Sequence, residues 1–314
     1  LLRNKNIHVD QFPVKEVLYR EAKGKHFIRG NGFTMYHLQD SMPPNAVDAE
    51  ILKLDTSYDL IIFSSIQRQF GNFIQYLPFL DSSKVWLIDG EDSPALYPFQ
   101  GQYWRNYELW RLPRAHGRFL YFKREWTPET IRFLYYKILP HFISKLIPPP
   151  AKLKPISFSI PSEKIIDYLP AKSKLFPKHI VDAEVSSKVE DSSTAYAFDT
   201  EKEYYQDLQS SKYGITTKRS GWDCLRHYEI AANGSVICFK DLDKKPKTCA
   251  PHGLHPGVNC LSYSSYEDLM KKIAVLSEED YNRMQQASLD WAKEHSCEAT
   301  IQHLLSQYSG NAKN

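Results

Sequence analysis

A loop of basic and small residues before a helix is the part of this sequence that points most directly to chemistry. Lys218, Arg219 and Ser220 precede Gly221, and the pattern over residues 223–232 predicts a helix directly after them. Free N–H groups and the positive end of the helix dipole attract anions at such a position. Two cations beside them strengthen the attraction, so we expect an anion to bind here.

The predicted helix also carries a cation and an acid on one face. Arg226 and Glu229 are three residues apart, so their side chains are neighbours. Asp223 suits the N-cap, and Asn233-Gly234 suits the helix C-terminus, where glycine tolerates left-handed backbone. The spacing leaves two interpretations open: Arg226 and Glu229 contribute to the anion site, or they form a solvated ion pair.

A second group of candidate residues follows the apolar run from Lys84 to Ile88. Asp89, Glu91 and Asp92 come directly after it. Ligands of open α/β sheets bind beyond the carboxyl ends of the strands, where a carboxylate could act as a general base toward a hydroxyl. Asp89 and Asp92 are the catalytic candidates, because a short side chain is more easily held rigid. The alternative is a turn whose aspartates cap the next element and stay solvated.

Four potential metal ligands lie within twelve residues of each other, namely Cys249, His252, His255 and Cys260. Such side chains can bind zinc tetrahedrally, although this spacing matches no common zinc motif and prolines and glycines interrupt it. The other interpretations are a loop that lines a substrate site through His252 or His255, and an ordinary surface loop.

Strands and helices that would position these residues alternate along the chain. In the first half, apolar runs predict strands over 58–63, 84–88 and 117–122, with a helix over 72–80; a short strand is also expected at 7–9. In the second half, strands are expected at 196–198, 213–215 and 235–239, followed by helices that begin near 265, 277 and 298. The stripe Tyr281, Met284, Ser288 and Trp291 is expected to be core. This order predicts an α/β fold with parallel sheets covered on both faces.

Three consecutive prolines, Pro148 to Pro150, can continue neither a helix nor a central strand and so mark a connector. We therefore expect two domains, residues 1–155 and 156–314, the second ending in helices. The opening residues resemble the tail of a helix before the expected strand at 7–9. We hypothesise that a βα unit is missing ahead of them.

Composition narrows the class of protein. The 314 residues include 40 basic and 37 acidic side chains, a net charge of +3, which excludes polyanion binding driven by bulk charge and makes a nucleic-acid partner unlikely. Five scattered cysteines argue against a secreted disulfide framework and favour a reducing compartment. No run approaches the roughly 20 apolar residues that a transmembrane helix needs. We expect a cytoplasmic protein.

The order of motifs over roughly residues 195–305 resembles the donor-binding domain of glycosyltransferases with the GT-B fold. The resemblance is greatest to the spore-maturation-type branch of the family-1-like enzymes. Four segments carry it: Cys224–Phe239, Pro256–Tyr263, Tyr266–Leu269 and Lys293–Ser296. The first contains an Arg and a Glu on one helix, a pair of small residues, Gly and an apolar strand. The others contain a Gly-Xaa-Asn loop, a Glu-Asp-Leu helix start and a Glu-His-Ser sequence.

The resemblance implies two Rossmann-like domains facing each other across a cleft, with the acceptor on the N-terminal and a nucleotide-sugar donor on the C-terminal domain. It implies no cofactor beyond the donor as co-substrate and no essential metal; the acceptor would be a saccharide, a lipid-linked molecule or a protein. Glu229 would bind the ribose, and Lys218, Arg219 and Arg226 the diphosphate. Ser220, His252 and Asn259 complete the donor-binding candidates.

One departure from the family pattern affects the function. The family's first Glu, separated by seven residues from the position of Glu229, is replaced here by Gly221. Direct recognition of a sugar hydroxyl by that first Glu is therefore not expected. This departure supports the alternative function, a non-catalytic module that binds a nucleotide or sugar or serves as an interaction domain. A transferase acting on nucleic acid is a third hypothesis, which the small net charge disfavours.

Overall fold

The computed structural model describes residues 7–12, 15–20, 33–40, 58–96, 115–134 and 138–308. It is an α/β protein with two parallel sheets, one in each half of the chain. In the first half the helices are α1 (Phe70–Tyr76), α2 (Ala115–Arg118), α3 (Pro128–Leu134) and α4 (His141–Ser144). In the second half they are α5 (Ala183–Ser186), α6 (Glu201–Ser210), α7 (Leu225–Ala232), α8 (Tyr266–Ala274), α9 (Glu278–Glu294) and α10 (Cys297–Tyr308). Short 3₁₀ helices occupy Glu16–Leu18, Leu77–Phe79, Ser162–Lys164 and Leu242–Lys244.

The first sheet contains four parallel strands in chain order: β1 (Ile61–Phe63), β2 (Val85–Asp89), β3 (Leu120–Lys123) and β4 (Leu153–Pro155). The strands expected near 58–63, 84–88 and 117–122 are confirmed with shorter or shifted bounds. The third begins only at Leu120, because the residues before it form the single turn of α2. The register pairs Asp89 with Lys123, which brings an acid and a base together at the carboxyl ends of β2 and β3.

Strand β4 was not predicted from the sequence, because it follows the three prolines directly. It lies at the edge of the sheet and pairs only with β3 there. Its last residue, Pro155, cannot donate a backbone hydrogen bond, and prolines are tolerated at such edge positions. The strand expected at residues 7–9 is absent, since residues 7–12 are irregular.

The second sheet consists of β5 (Tyr213–Thr217), β6 (Val236–Lys240) and β7 (Cys260–Tyr263), also parallel and in chain order. The prediction of strands near 213 and 235 is confirmed. The strand expected at 196–198 is wrong: this segment pairs with no neighbouring strand, and the Tyr196 ring instead stacks on His179 at 4.9 Å between centroids.

The central strand β6 is buried on both faces, as expected for a parallel sheet covered by helices. Val236 and Cys238 contribute to one apolar cluster, while Ile237 and Phe239 contribute to the cluster on the opposite face. Helix α7 packs closely over β5 at Gly214, where a Cβ would lie 2.4 Å from the side chain of Ile230.

The C-terminal helices begin where the sequence indicates. Ser265 and Ser277 each accept a hydrogen bond from the backbone three residues later and so cap α8 and α9. The predicted stripe from Tyr281 to Trp291 is buried, which confirms its place in the core. In the part of the chain that the structure describes, no helix has the length and apolar character needed to cross a membrane.

Candidate functional site

A cavity of about 700 Å³ lies between the carboxyl ends of the strands of the first sheet and the start of α7. The first sheet contributes residues that directly follow its strands: Ser64 and Ser65 after β1, Gly90, Glu91 and Asp92 after β2, and Arg124 after β3. The second half contributes Arg219 to Gly221 and Asp223 to Arg226, together with Glu229. The two predicted groups of functional residues therefore face one shared cleft.

Helix α7 begins at this cleft, at Leu225, two residues later than the sequence pattern predicts. Its N-cap is Cys224, whose side chain makes no capping hydrogen bond. The prediction of Asp223 as the cap is wrong, because its carboxylate is buried and accepts hydrogen bonds from the Phe158 N–H at 2.8 Å and the Tyr228 hydroxyl at 3.1 Å. Cys224, Leu225 and Arg226 line the cavity, so the positive end of α7 lies at the cavity without a capping side chain.

Arg226 provides a cation in the first turn of α7. One of its terminal nitrogens lies 3.4 Å from Nε2 of His179, while its buried Nε has no hydrogen-bond partner among the described residues. A buried donor without a partner is uncommon in folded proteins. Arg226 lines the cavity, so its guanidinium adds positive charge at the start of α7.

Glu229 lies one turn further along the same helix and is buried. Its Oε1 accepts a hydrogen bond from Oγ1 of Thr34 at 2.5 Å, and its Oε2 accepts one from the Tyr204 hydroxyl at 2.9 Å. Burial raises the pKa of Glu229 above its ordinary value, while these two hydrogen bonds oppose that rise. The interpretation of Arg226 and Glu229 as a solvated surface pair is therefore wrong.

Thr34 is a site residue that sequence reasoning missed. It is buried, its backbone φ is 64°, and its N–H donates to Glu201 Oε1 at 2.9 Å. The neighbouring Phe33 stacks on Tyr204 with the ring centroids 6.0 Å apart. Residues 33 and 34 thus join the second half of the molecule directly beside Glu229. No local sequence signal marks this contact.

The two catalytic candidates have different surroundings. Asp89 is 2% exposed and its Oδ2 lies 2.9 Å from Nζ of the fully buried Lys123. The Tyr121 hydroxyl donates to the same carboxylate at 2.6 Å. Asp89 therefore faces the interior of the first sheet and does not line the cavity, whereas Asp92 does. Burial lowers the pKa of Lys123, and the charge of Asp89 opposes that change.

Arg124 joins the loops on the two sides of the cleft. Its Nε donates to the carbonyl of Gly90 at 2.9 Å, and its Nη1 donates to the carbonyl of Asp223 at 2.6 Å. Its Nη2 pairs with Asp92, and its guanidinium lies over the Phe158 ring at 4.4 Å. Arg124 lies two residues after the strand predicted over 117–122. That position alone did not identify it as a site residue.

Gly221 lies where the two halves come close together at the cleft. A Cβ at this position would lie 2.7 Å from Oδ1 of Asp92 and 2.8 Å from Oε2 of Glu125. Glu125 also accepts a hydrogen bond from the backbone N–H of Trp222 at 3.0 Å. The space that a side chain at 221 would need is therefore filled by carboxylates of the first half.

The remaining donor-binding candidates divide between the cleft and other places. Arg219 and Ser220 line the cavity, whereas Lys218 does not and lies over the Trp222 ring at 5.2 Å. Asn259 is bound within its own loop, accepting from the His255 N–H and donating to the Gly253 carbonyl, each at 2.8 Å.

His252 and the potential metal ligands around it lie away from the cleft. The Nε2 of His252 is buried without a partner, and burial lowers the pKa of this imidazole to about 4. Cys249 and Cys260 are buried, while His255 is exposed. Among the described residues, which include all four, no three such side chains come together as a ligand set. In this arrangement the four side chains do not form the tetrahedral set that the zinc interpretation requires.

Comparisons with known proteins place the chain in no family. No family model and no curated protein matches it. Among solved structures it is similar to a glycosyltransferase from Rickettsia africae ESF-5, with 12% sequence identity and a TM-score of 0.49 over 88% of this chain and 85% of that one. The GT-B assignment, the domain boundaries and the roles of the site residues stay predictions.

Proposed function

We propose that this protein is a glycosyltransferase that moves a sugar from a nucleotide-sugar donor to an acceptor hydroxyl. The observation that carries the proposal is the cleft itself, where the uncapped start of α7, Arg226 and Asp92 line one cavity. One side of this cleft suits a diphosphate, and the other suits a hydroxyl that must lose a proton. The ordered motifs between residues 195 and 305 point to the same activity.

The donor would bind to the second half of the molecule. The N–H groups of α7, together with Arg219 and Arg226, would hold the diphosphate, and Glu229 would accept a hydrogen bond from the ribose. An ionised carboxylate is a strong acceptor for hydroxyl donors. Because Glu229 already accepts from Thr34 and Tyr204, the ribose would replace or join one of these donors.

The transfer step would take place at the cleft side of the first sheet. In the proposed reaction the acceptor oxygen attacks the anomeric carbon and forms the new glycosidic bond. The bond from that carbon to the diphosphate breaks, and the hydroxyl proton passes to Asp92. The negative charge that develops on the leaving nucleoside diphosphate meets the positive end of α7 and Arg226. This route assigns the charge stabilisation to the chain itself, without an essential metal or further cofactor.

In this proposal the enzyme acts in the cytoplasm. Its acceptor is a saccharide, a lipid-linked molecule or another protein. All five cysteines are free, which suits a reducing compartment. Asp89 is not the base in this scheme, because Lys123 and Tyr121 hold it inside the sheet.

A thermal-shift screen tests donor binding directly. UDP, GDP, CMP, TDP and ADP would be tested with their sugar conjugates against the wild type, Glu229→Gln and the control Glu279→Gln, an exposed acid on α9. A ligand present at a hundred times its dissociation constant stabilises the folded state by about 2.7 kcal/mol. We expect one nucleotide class to stabilise the wild type and the control but not Glu229→Gln. Equal shifts in all three proteins, or none, would contradict the donor site.

The second candidate is a module that binds a nucleotide or sugar without transfer. Two observations favour it: Thr34 and Tyr204 occupy both oxygens of Glu229, and carboxylates of the first half fill the space beside Gly221. Binding of a nucleotide sugar with neither hydrolysis nor transfer would establish the module. Consumption of the donor would exclude it.

A further inference from the structure

Three large apolar side chains project into solvent within one short segment of the first half. Ile138, Phe142 and Leu146 are 80%, 70% and 80% exposed. Phe142 lies in α4, Leu146 lies in the turn that follows it, and Ile138 lies just before Pro140, outside the helix. We call this set the apolar ridge. It lies outside the cleft described above and plays no part in the proposed transfer.

Two other residues of the same segment, Ser144 and Ile147, are directed toward the protein. Ser144 is buried, and its hydroxyl donates to the His141 carbonyl at 2.7 Å. Ile147 packs against the apolar core of the first sheet. Pro140 and the three prolines from Pro148 restrict the backbone at both ends. The ridge is therefore presented to solvent by the fold itself.

The charge around the apolar ridge is positive. The sequence contains no Asp or Glu between Glu129 and Glu163. Lys145 and Lys152 are exposed, and Lys154 is partly exposed. In the described parts of the chain, no ion pair joins any of these three lysines to a carboxylate.

Glu129, an acid that contacts this segment through His141, is already paired with Arg132. Glu129 contacts Arg132 at 2.9 Å and His141 at 3.1 Å. The Nζ of Lys152 donates to the carbonyl of Arg118 at 2.6 Å. This carbonyl is neutral, so the contact does not compensate the lysine charge. The segment thus combines exposed apolar side chains with lysines, at 145 and in the residues that follow, that form no ion pair among the described residues.

We propose that the apolar ridge docks the protein on the surface of an anionic phospholipid bilayer. Apolar side chains on one side of a segment enter the boundary between headgroups and acyl chains, and lysines beside them bind anionic headgroups. The long lysine side chains allow their ammonium groups to stay at headgroup level while the apolar residues go deeper. An apolar protein partner would not require the absence of acids along this stretch. This proposal stands independently of the proposed transfer reaction.

Sedimentation of the full chain with lipid vesicles tests the proposal. One set of vesicles contains phosphatidylcholine alone, and the other contains equal parts of phosphatidylcholine and phosphatidylglycerol. We expect binding to the anionic set, weakened when NaCl is raised from about 0.1 M to about 0.5 M, because salt screens the lysine contacts. The double variant Phe142→Glu with Leu146→Glu should bind about tenfold less or weaker still.

Two further variants separate the apolar and the charged contributions. Val275→Glu changes a side chain that is 79% exposed on the second half, and we expect it to bind vesicles like the wild type. Lys145→Gln removes one charge while leaving the apolar ridge intact, and we expect roughly fivefold weaker binding to the anionic set. Circular dichroism would establish that each variant is folded before it is compared.

Three results would overturn the proposal. The first is no binding of the wild type to either vesicle set. The second is unchanged binding by the double variant at Phe142 and Leu146. The third is a dimer, measured by light scattering, that the same double variant converts to a monomer, since the apolar ridge would then be an interface between two copies of the chain.

Discussion

Replacing Asp89 by alanine should destabilise the fold far more than replacing an exposed acid, because Asp89 has a fully buried partner. Lys123 is 0% exposed, and its Nζ lies 2.9 Å from Oδ2 of Asp89. The substitution would leave this charge unpaired in the interior and would also remove the acceptor of the Tyr121 hydroxyl. Breaking a buried pair in this way costs about 3–5 kcal/mol of folding free energy.

Urea unfolding followed by circular dichroism at neutral pH measures this loss. Asp290→Ala is the matched control, because its ion pair with Lys293 is exposed at 3.7 Å and such pairs contribute about 1 kcal/mol or less. The double variant Asp89→Leu with Lys123→Met should recover most of the stability, since it removes both buried charges together.

The pH dependence of the Asp89→Ala variant follows from the same contact. Burial already lowers the pKa of Lys123, and without Asp89 that pKa falls further. The unfolded state then binds more protons than the folded state at pH values below the ordinary lysine pKa, so the stability of the variant should rise with pH in that range. The buried-pair account would be refuted if Asp89→Ala lost less than about 1 kcal/mol of folding free energy, or if the double variant did not recover that loss.

The other predictions concern the cleft and the helix behind it. Thr34→Val removes a hydrogen bond to the buried carboxylate of Glu229, so urea unfolding should show a loss of about 1.5–3 kcal/mol. Burial lowers the pKa of His227 to about 4. As pH falls from 6.5, the unfolded state therefore takes up the proton first, and up to ~3 kcal/mol of folding free energy should be lost by pH 4. His227→Gln should make the stability less dependent on pH in this range. Gly221→Ala should cost about 1–3 kcal/mol and weaken nucleotide binding. Gly90→Ala is its control, since a Cβ there meets nothing within 4 Å.

Each of these predictions has a result that would contradict it. For Thr34→Val it is unchanged stability, and for His227→Gln it is an acid profile identical to that of the wild type. For the two glycine variants, equal losses of folding free energy in Gly221→Ala and Gly90→Ala would mean that the close approach of the two halves at Gly221 does not affect stability.

The second half could be predicted from sequence because its signals are local. Asn233-Gly234 ends α7 as expected, and Gly234 has the positive φ of 70° that a helix C-terminus of this kind needs. Ser265 and Ser277 cap their helices through contacts only three residues away. In such cases the residues that determine the structure are neighbours in the chain.

The parts that could not be predicted depend on contacts between distant residues. The orientation of Asp89 follows from its pairing with Lys123 in the register of β2 and β3, which the sequence does not specify. The bond between Thr34 and Glu229 joins residues 195 positions apart. Asp223 matched the pattern of a helix cap, but the chain at Phe158 competes for its carboxylate.

The most direct test of the central claim is donor turnover measured by mass spectrometry. The wild type and Arg226→Gln would be incubated with each common nucleotide sugar, with water or added saccharides as the acceptor. The account predicts that the wild type releases nucleoside diphosphate from one class of donor. It predicts that Arg226→Gln loses this activity while staying folded, because the leaving diphosphate loses the cation at the start of α7. Equal turnover by the two proteins, or donor binding by the wild type without any release of diphosphate, would contradict the account.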